Sequence, residues 1–564
     1  MNILWVEKIK AKFVDVIKEY LFSISVFLLA TVFWTIRGDG INHSYIIKTV
    51  IPFLETLFYG ITPGILLCET IYHYPDYSEK KKTILYAVII VLTTVSSFFY
   101  SSINTIFEAG LQEKLENPAV FSEIAFEVFV CYLVTAMGFA VYFIYKKTGE
   151  CFETYVAKAF CGLMKALLIY GIIALGVLMV LLIFDTLIVD TSSIDLIMRC
   201  EIMIMGLVAY PCALMGISKT EGDFSKFSKV VLSYIFTGLL AIAFLIIYLY
   251  IFKIVFTWQF PKNQVFSILT ALFCCGLMIW TMAAGCCQEK MLKSIKLMPF
   301  LFIPFIILQI MCLYMRVTDY GFTRSRYFGL AMIIFEVIYF AMYIVSYFVA
   351  KEITFSLLFL IIAMTYLVLV VPFTNYKSVI LMSQKSRIEK YFAAAANGDQ
   401  LEKKTAYEAY KTINSESGYM GLKYLSKNYT QEQIADLTSG EEDNSESDYI
   451  YICASRDLNE IIVEGYKEIN VIDSEFYDDE VDALEIKSKD GKQLGTADIS
   501  DLTSKLLKLD KAGNTDYSKK TELISNNVPL DTGGELIITS IKITGDYGVP
   551  DKIEYIEIHG YVLK

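Results

Sequence analysis

The chain has 564 residues, 55% of them hydrophobic and 15% aromatic, with a formal net charge of −11 and a mean hydropathy of +0.51. That is too apolar for a soluble protein of this length, and the apolar residues concentrate in runs of about 20, the length that crosses a bilayer. The acidic excess lies wholly after Asn375, which argues against nucleic acid as a partner.

Residues 1–19 interleave Lys8, Lys10, Lys12 and Lys18 with Trp5, Val6, Phe13, Val14 and Ile17, the pattern of an interfacial amphipathic helix. Spans are then expected near 20–36, 46–72, 84–100, 121–145, 159–184, 196–217, 230–256, 264–287, 298–315, 327–350 and 353–373. The fold class follows: an α-helical polytopic membrane domain of about eleven transmembrane helices over 20–374, then a C-terminal extracytoplasmic α+β domain over 375–564. Lysines in alternate loops (Lys80–Lys82, Lys146, Lys147, Lys219, Lys290, Lys351) put the amino terminus in the cytoplasm by the positive-inside rule. An odd number of spans places the tail outside a plasma membrane. Trp34 and Trp258 then fall near the outer interface and Trp5 near the inner one.

Pro52 and Pro63, with Gly60 and Gly64 at Gly-x-x-x-Gly spacing, mark the second span as the most irregular, the kind of broken helix from which transporters build midplane sites. Ionisable residues inside spans are costly and so point to function. Glu55, Lys165 and Glu336 lie several residues inside their runs, and Glu123 and Glu127, four apart, share a helix face. In the tail, helices are expected at 377–395, 400–414, 430–438 and 498–509. Strands are expected at 449–454, 461–472, 481–487, 535–544 and 552–563, with Asp490-Gly491 as a hairpin turn.

The loop before the tenth span, Arg316-Val-Thr-Asp-Tyr-Gly-Phe-Thr-Arg-Ser-Arg-Tyr327, holds three of the seven arginines. Arginine is permanently charged and can hold a carboxylate or phosphate through two parallel bonds. Thr323 is a plausible N-cap, which puts Arg324 and Arg326 in a first helical turn where the dipole disfavours cations. A compensating anion is therefore expected, with Arg316, Asp319, Tyr320, Thr323, Arg324, Arg326 and Tyr327 as its surroundings. A structural cluster of ion pairs is the competing interpretation.

This motif, with Ser378-Val-Ile-Leu-Met-Ser-Gln-Lys-Ser-Arg-Ile388 downstream, resembles the bacterial polytopic membrane family catalogued as domain of unknown function 4153. The resemblance covers roughly residues 200–400 and implies topology and site position, not mechanism. Three histidines without ligand spacing, and no P-loop, nucleophile elbow or dinucleotide fingerprint, leave no metal, cofactor or catalytic residues to assign. The reading is transport or handling of a small solute, lipid or envelope component. The partners expected are the bilayer itself and an anionic lipid or solute. The alternatives are an envelope sensor or assembly protein whose tail binds a partner protein, and an intramembrane enzyme acting on a lipid-linked substrate.

Overall fold

The computed structural model describes all residues except 1–2, 38–44, 109–117, 188–193, 221, 258–263, 350–351, 398–402, 431–432, 435–436, 438–448, 457–465, 478–483, 488–492, 512–516 and 547–551. Trp258, Lys351 and the expected turn at Asp490-Gly491 lie outside the described residues. The chain divides into two compact units, Met1–Thr430 and Gln431–Lys564.

In the first unit the helices are α1 (Ile3–Glu19), α2 (Leu21–Arg37), α3 (Tyr45–Tyr72), α4 (Glu79–Glu108), α5 (Pro118–Thr148) and α6 (Phe152–Leu187). Then come α7 (Ile194–Ile204), α8 (Tyr210–Ser218), α9 (Lys226–Val230), α10 (Phe236–Thr257), α11 (Gln264–Cys286) and α12 (Glu289–Leu301). The set closes with α13 (Ile303–Tyr320), α14 (Arg324–Val349), α15 (Thr354–Leu369), α16 (Tyr376–Asn397), α17 (Lys403–Glu416) and α18 (Gly418–Asn428). Among the described residues nine helices, some of them joined across short breaks, are long and apolar enough to cross a membrane. A tenth arises if α1 and α2, bent by 90°, count as one span. α15 is apolar but only 16 residues long. This is the architecture of a multi-pass membrane protein. Outward-facing Leu168, Ile172, Val180 and Ile183 make α6 apolar toward its surroundings, as hydrocarbon rather than water would demand.

The α1–α2 bend is tied down by charge. Glu19 pairs with Lys147 and with Lys219, and its backbone carbonyl meets His73 Nε2 at 3.0 Å. The break expected in the second span is absent: α3 runs unbroken from Tyr45 to Tyr72 with both prolines inside it. The cause is Tyr132 of α5, whose hydroxyl donates to Gly60 C=O and accepts from Gly64 N–H, each at 3.0 Å. It stands in for the helical bond those two groups would otherwise share, next to a proline that offers no donor. Among the described residues, backbone irregularity occurs instead at two π-helical turns, Met205–Ala209 just before Pro211 and Val231–Ile235. A further break falls at Phe302 between Pro299 and Pro304.

The three helices α16 to α18 pack within the first unit, so the boundary expected at 374/375 does not coincide with the division between compact bodies. α18 was not foreseen. The second unit is an antiparallel sheet in the order β1 (Tyr449–Ser455), β6 (Glu535–Asp546), β7 (Lys552–Leu563), β2 (Ile469–Tyr477), with β5 (Val528–Pro529) against β6. A separate pair joins β3 (Leu484–Lys487) and β4 (Gln493–Ala497). Alternation sets the faces: Ile556, Ile558 and Val562 of β7 are buried, with Ile556 opposite Ile543 and Ile558 opposite Ile541. The helix Ser500–Lys511 adds Leu506 to that core, and Tyr517–Ile524 adds Ile524. Of the strand expected at 461–472, residues 461–465 lie outside the described residues, and the strand observed is Ile469–Tyr477.

Candidate functional site at the arginine turn

α13 ends where Gly321 takes φ +71°, a conformation that side chains with a Cβ rarely adopt. The close approach adds a second requirement, since a Cβ there would meet Gln384 Nε2 at 2.9 Å and Ser383 Oγ at 3.0 Å. α16 crosses this turn and satisfies its orphan groups one by one. Ser383 Oγ accepts from Phe322 N–H at 2.9 Å. Gln384 Nε2 donates to the carbonyls of Tyr320 (3.1 Å) and Phe322 (2.7 Å). Arg387 Nη2 donates to those of Thr318 (3.2 Å) and Asp319 (2.8 Å). A cation at a helix C-terminus also suits the dipole.

On the other side of the turn, Arg326 Nη1 donates to Gly321 C=O at 2.8 Å, and its guanidinium lies 5.3 Å from the Tyr320 ring centroid. Tyr327 is buried and its hydroxyl donates to Thr374 C=O. The Thr323 hydroxyl does not cap α14 as expected; it bonds Ser325 Oγ, and Glu416 Oε2 accepts from Arg324 N–H at 2.5 Å. A carboxylate at the α14 N-terminus answers the dipole penalty that Arg324 and Arg326 incur. The Arg324 guanidinium packs over Tyr376, 5.6 Å from its centroid. Half-buried Arg316 and exposed Asp319 make no side-chain hydrogen bond or ion pair among the described residues.

Arg326, Arg387 and Lys411 line a cavity of about 200 Å³ at this turn, with Thr323, Thr405 and Thr412 beside them and Glu408 as the lining carboxylate. Arg316 lies within electrostatic reach of Arg326, as do Arg387 and Glu416. Two guanidinium groups and one ammonium thus line this space, while the Thr412 hydroxyl is committed to Glu408 C=O at 2.8 Å.

A family model described as "Domain of unknown function (DUF4153)" matches residues 61–395. The chain belongs to this family. The DUF4153 segment contains the arginine turn together with Ser383, Gln384 and Arg387 that cap it, and ends within α16, ahead of the second compact unit. It reaches further toward the amino terminus than the stretch that carried the resemblance. No curated protein and no solved structure matches the chain.

The other polar residues singled out from sequence do not line the cavity at this DUF4153 turn, although Lys377, the partner of Glu123 and Glu127, shares the Tyr376 ring with Arg324. Glu123 and Glu127 do share a face, but their partner is a lysine, not an arginine: Lys377 Nζ of α16 lies 2.7 Å from Glu123 Oε2 and 2.7 Å from Glu127 Oε1. Glu123 Oε1 also accepts from Tyr419 N–H at 3.2 Å, at the start of α18. Burial alone would lower the Lys377 ammonium, but its bonds to the two carboxylates outweigh that and hold it above the usual lysine value. Buried Glu55 pairs with Arg37 at 3.2 Å. Lys165 is exposed on α6, outside the bundle interior. Glu336 is fully buried on α14, where Oε1 accepts from Gln309 Nε2 at 3.3 Å; among the described residues Oε2 has no hydrogen-bond partner.

Sequence reading passed over Gln384, Arg387, Lys411, Glu416 and Lys377. The signal for Gln384 and Arg387 was present, because both stand in the downstream stretch that carried the family resemblance.

Proposed function

We propose that this protein binds an anionic, phosphate- or carboxylate-bearing group at the arginine turn, as part of transporting or handling a solute, lipid or envelope component. The observation that carries this reading is the cavity lined by Arg326, Arg387 and Lys411 against the single carboxylate of Glu408. Its 200 Å³ is smaller than the roughly 300–1,000 Å³ of sites that enclose drug-sized ligands. A headgroup fits there and an acyl chain does not. On the positive-inside assignment the turn faces outward from the plasma membrane.

Calorimetric titration of the purified full chain tests this reading. One arm uses inorganic phosphate in detergent; the other compares phosphatidylglycerol with phosphatidylcholine nanodiscs. Arg326→Ala and Lys411→Ala are each expected to weaken binding about tenfold, the cost of one charge-assisted contact. Unchanged affinity in both variants, with unchanged unfolding midpoints, would show the cluster to be purely structural.

A further inference from the structure

A cavity of about 710 Å³ lies at the opposite end of α14 from the arginine turn. Its walls come from the end of α5, the start of α6, α11, α12, the last turns of α14 and the start of α15. Tyr339, Tyr343 and Tyr347 recur every fourth residue and so present one face of α14 to it. Tyr145 and Trp280 complete an aromatic wall.

The hydroxyls of these tyrosines are largely committed. Tyr145 donates to Glu352, Tyr343 donates to Lys296 C=O at 3.0 Å, and Tyr339 accepts from Trp280 Nε1 at 3.1 Å. Lys146 Nζ already stands 5.0 Å from the Tyr145 ring centroid, so what remains for a ligand is the ring surface of the α14 tyrosines, whose negative face attracts cations. The charges point the same way. Lys146 is neutralised by Glu352 at 2.8 Å. Glu150 Oε1 is taken by Lys158, while its buried Oε2 has no hydrogen-bond partner among the described residues. Glu153 lines the cavity without a side-chain hydrogen bond or ion pair among the described residues, and its charge reaches the Tyr145, Tyr339 and Tyr343 hydroxyls. Lys296 stands exposed among the lining residues, able to meet an anionic end of the same ligand.

The geometry points to a binding site for an organic ammonium group, boxed by the α14 tyrosines and Trp280 and balanced by Glu153. The volume falls within the range that encloses small organic ligands, so the whole of a free amine or a zwitterionic headgroup fits. The site is separate from the anion site and does not depend on it.

Calorimetric titration of tetraethylammonium onto the purified full chain in detergent tests the inference. Saturable binding is expected, weakened about tenfold by Glu153→Gln and by Tyr343→Leu, and retained by Tyr343→Phe, which keeps the ring. Glu153 is exposed, so its substitution leaves the fold intact. Competition by phosphatidylethanolamine assigns the site to a lipid headgroup, and its failure assigns the site to a free amine. Absence of saturable binding in the millimolar range, or unchanged affinity in either Glu153→Gln or Tyr343→Leu, overturns the inference.

Discussion

Arg387 Nη2 reaches across from α16 to the backbone carbonyl of Asp319 at 2.8 Å. Sixty-eight residues separate the two, yet the bond closes the end of a membrane helix with a side chain from the segment that follows the last apolar run. The arginine turn is thus assembled from two stretches of chain. Its own arginines stand at the rim of a shape that Ser383, Gln384 and Arg387 maintain.

Gln384 is the member of this cap whose loss should cost most. It is 2% exposed and serves two carbonyls with one amide nitrogen. Gln384→Ala leaves both without that donor, at about 1–3 kcal/mol. Gly321→Ala should also destabilise, because φ +71° and the crowding against Gln384 act together. Thermal unfolding in detergent reads both. A midpoint unchanged in Gln384→Ala would mean that water replaces the amide without loss.

α6 and α8 meet backbone to backbone. A Cβ on Gly162 would stand 2.2 Å from Gly216 O, and one on Gly216 would stand 2.7 Å from Gly162 C. Backbone cannot swing aside as a flexible side chain can, so the helices must separate. Gly162→Ala is expected to cost about 1–3 kcal/mol, as overpacking does. Gly171→Ala on the same helix meets nothing within 4 Å and should be neutral. Equal unfolding midpoints for the two variants would contradict this account.

How legible the protein was in its sequence depended on the range of the interaction. The membrane helices were legible because apolar runs of spanning length have few other uses in a chain, and the strand alternation at 552–563 because period two is local. The Glu123/Glu127 face was legible from spacing, but Lys377 is 254 residues from Glu123 and no local pattern links them. Lys165 misled because α6 is apolar on all sides, so depth within the run says nothing about which way a side chain turns. Pro63 with Gly60 and Gly64 read as a broken helix, since the repairing hydroxyl belongs to a different span.

That repair is testable by removing one oxygen. Tyr132→Phe keeps the ring and its packing but withdraws the hydroxyl from both Gly60 C=O and Gly64 N–H. The two backbone groups then lose the hydroxyl that bridges them and must close on each other without it, and about 1 kcal/mol is expected to be lost. Hydrogen exchange at the Gly64 amide should rise in step. If exchange there is unaltered, the hydroxyl is not what closes the gap.

Lys377 ties α16 to α5 through two ion pairs. It is 8% exposed and stands 2.7 Å from each of two carboxylates. Removing the cation alone leaves two like charges four residues apart with no counter-ion, so Lys377→Met should cost about 3 kcal/mol, the low end for a broken buried pair because the Glu123 side chain is 31% exposed. Adding Glu123→Gln and Glu127→Gln removes the repulsion and should restore most of the loss. The pH dependence has a defined sign. The folded-state lysine titrates above its unfolded value, so its contribution is complete below the ordinary lysine value of about 10.4 and fades only as pH climbs through the raised one. The difference in unfolding midpoint between wild type and Lys377→Met should therefore hold constant from neutral pH to about pH 10 and narrow above it. A difference that closes near neutrality would mean that the ammonium is not the group holding the two glutamates.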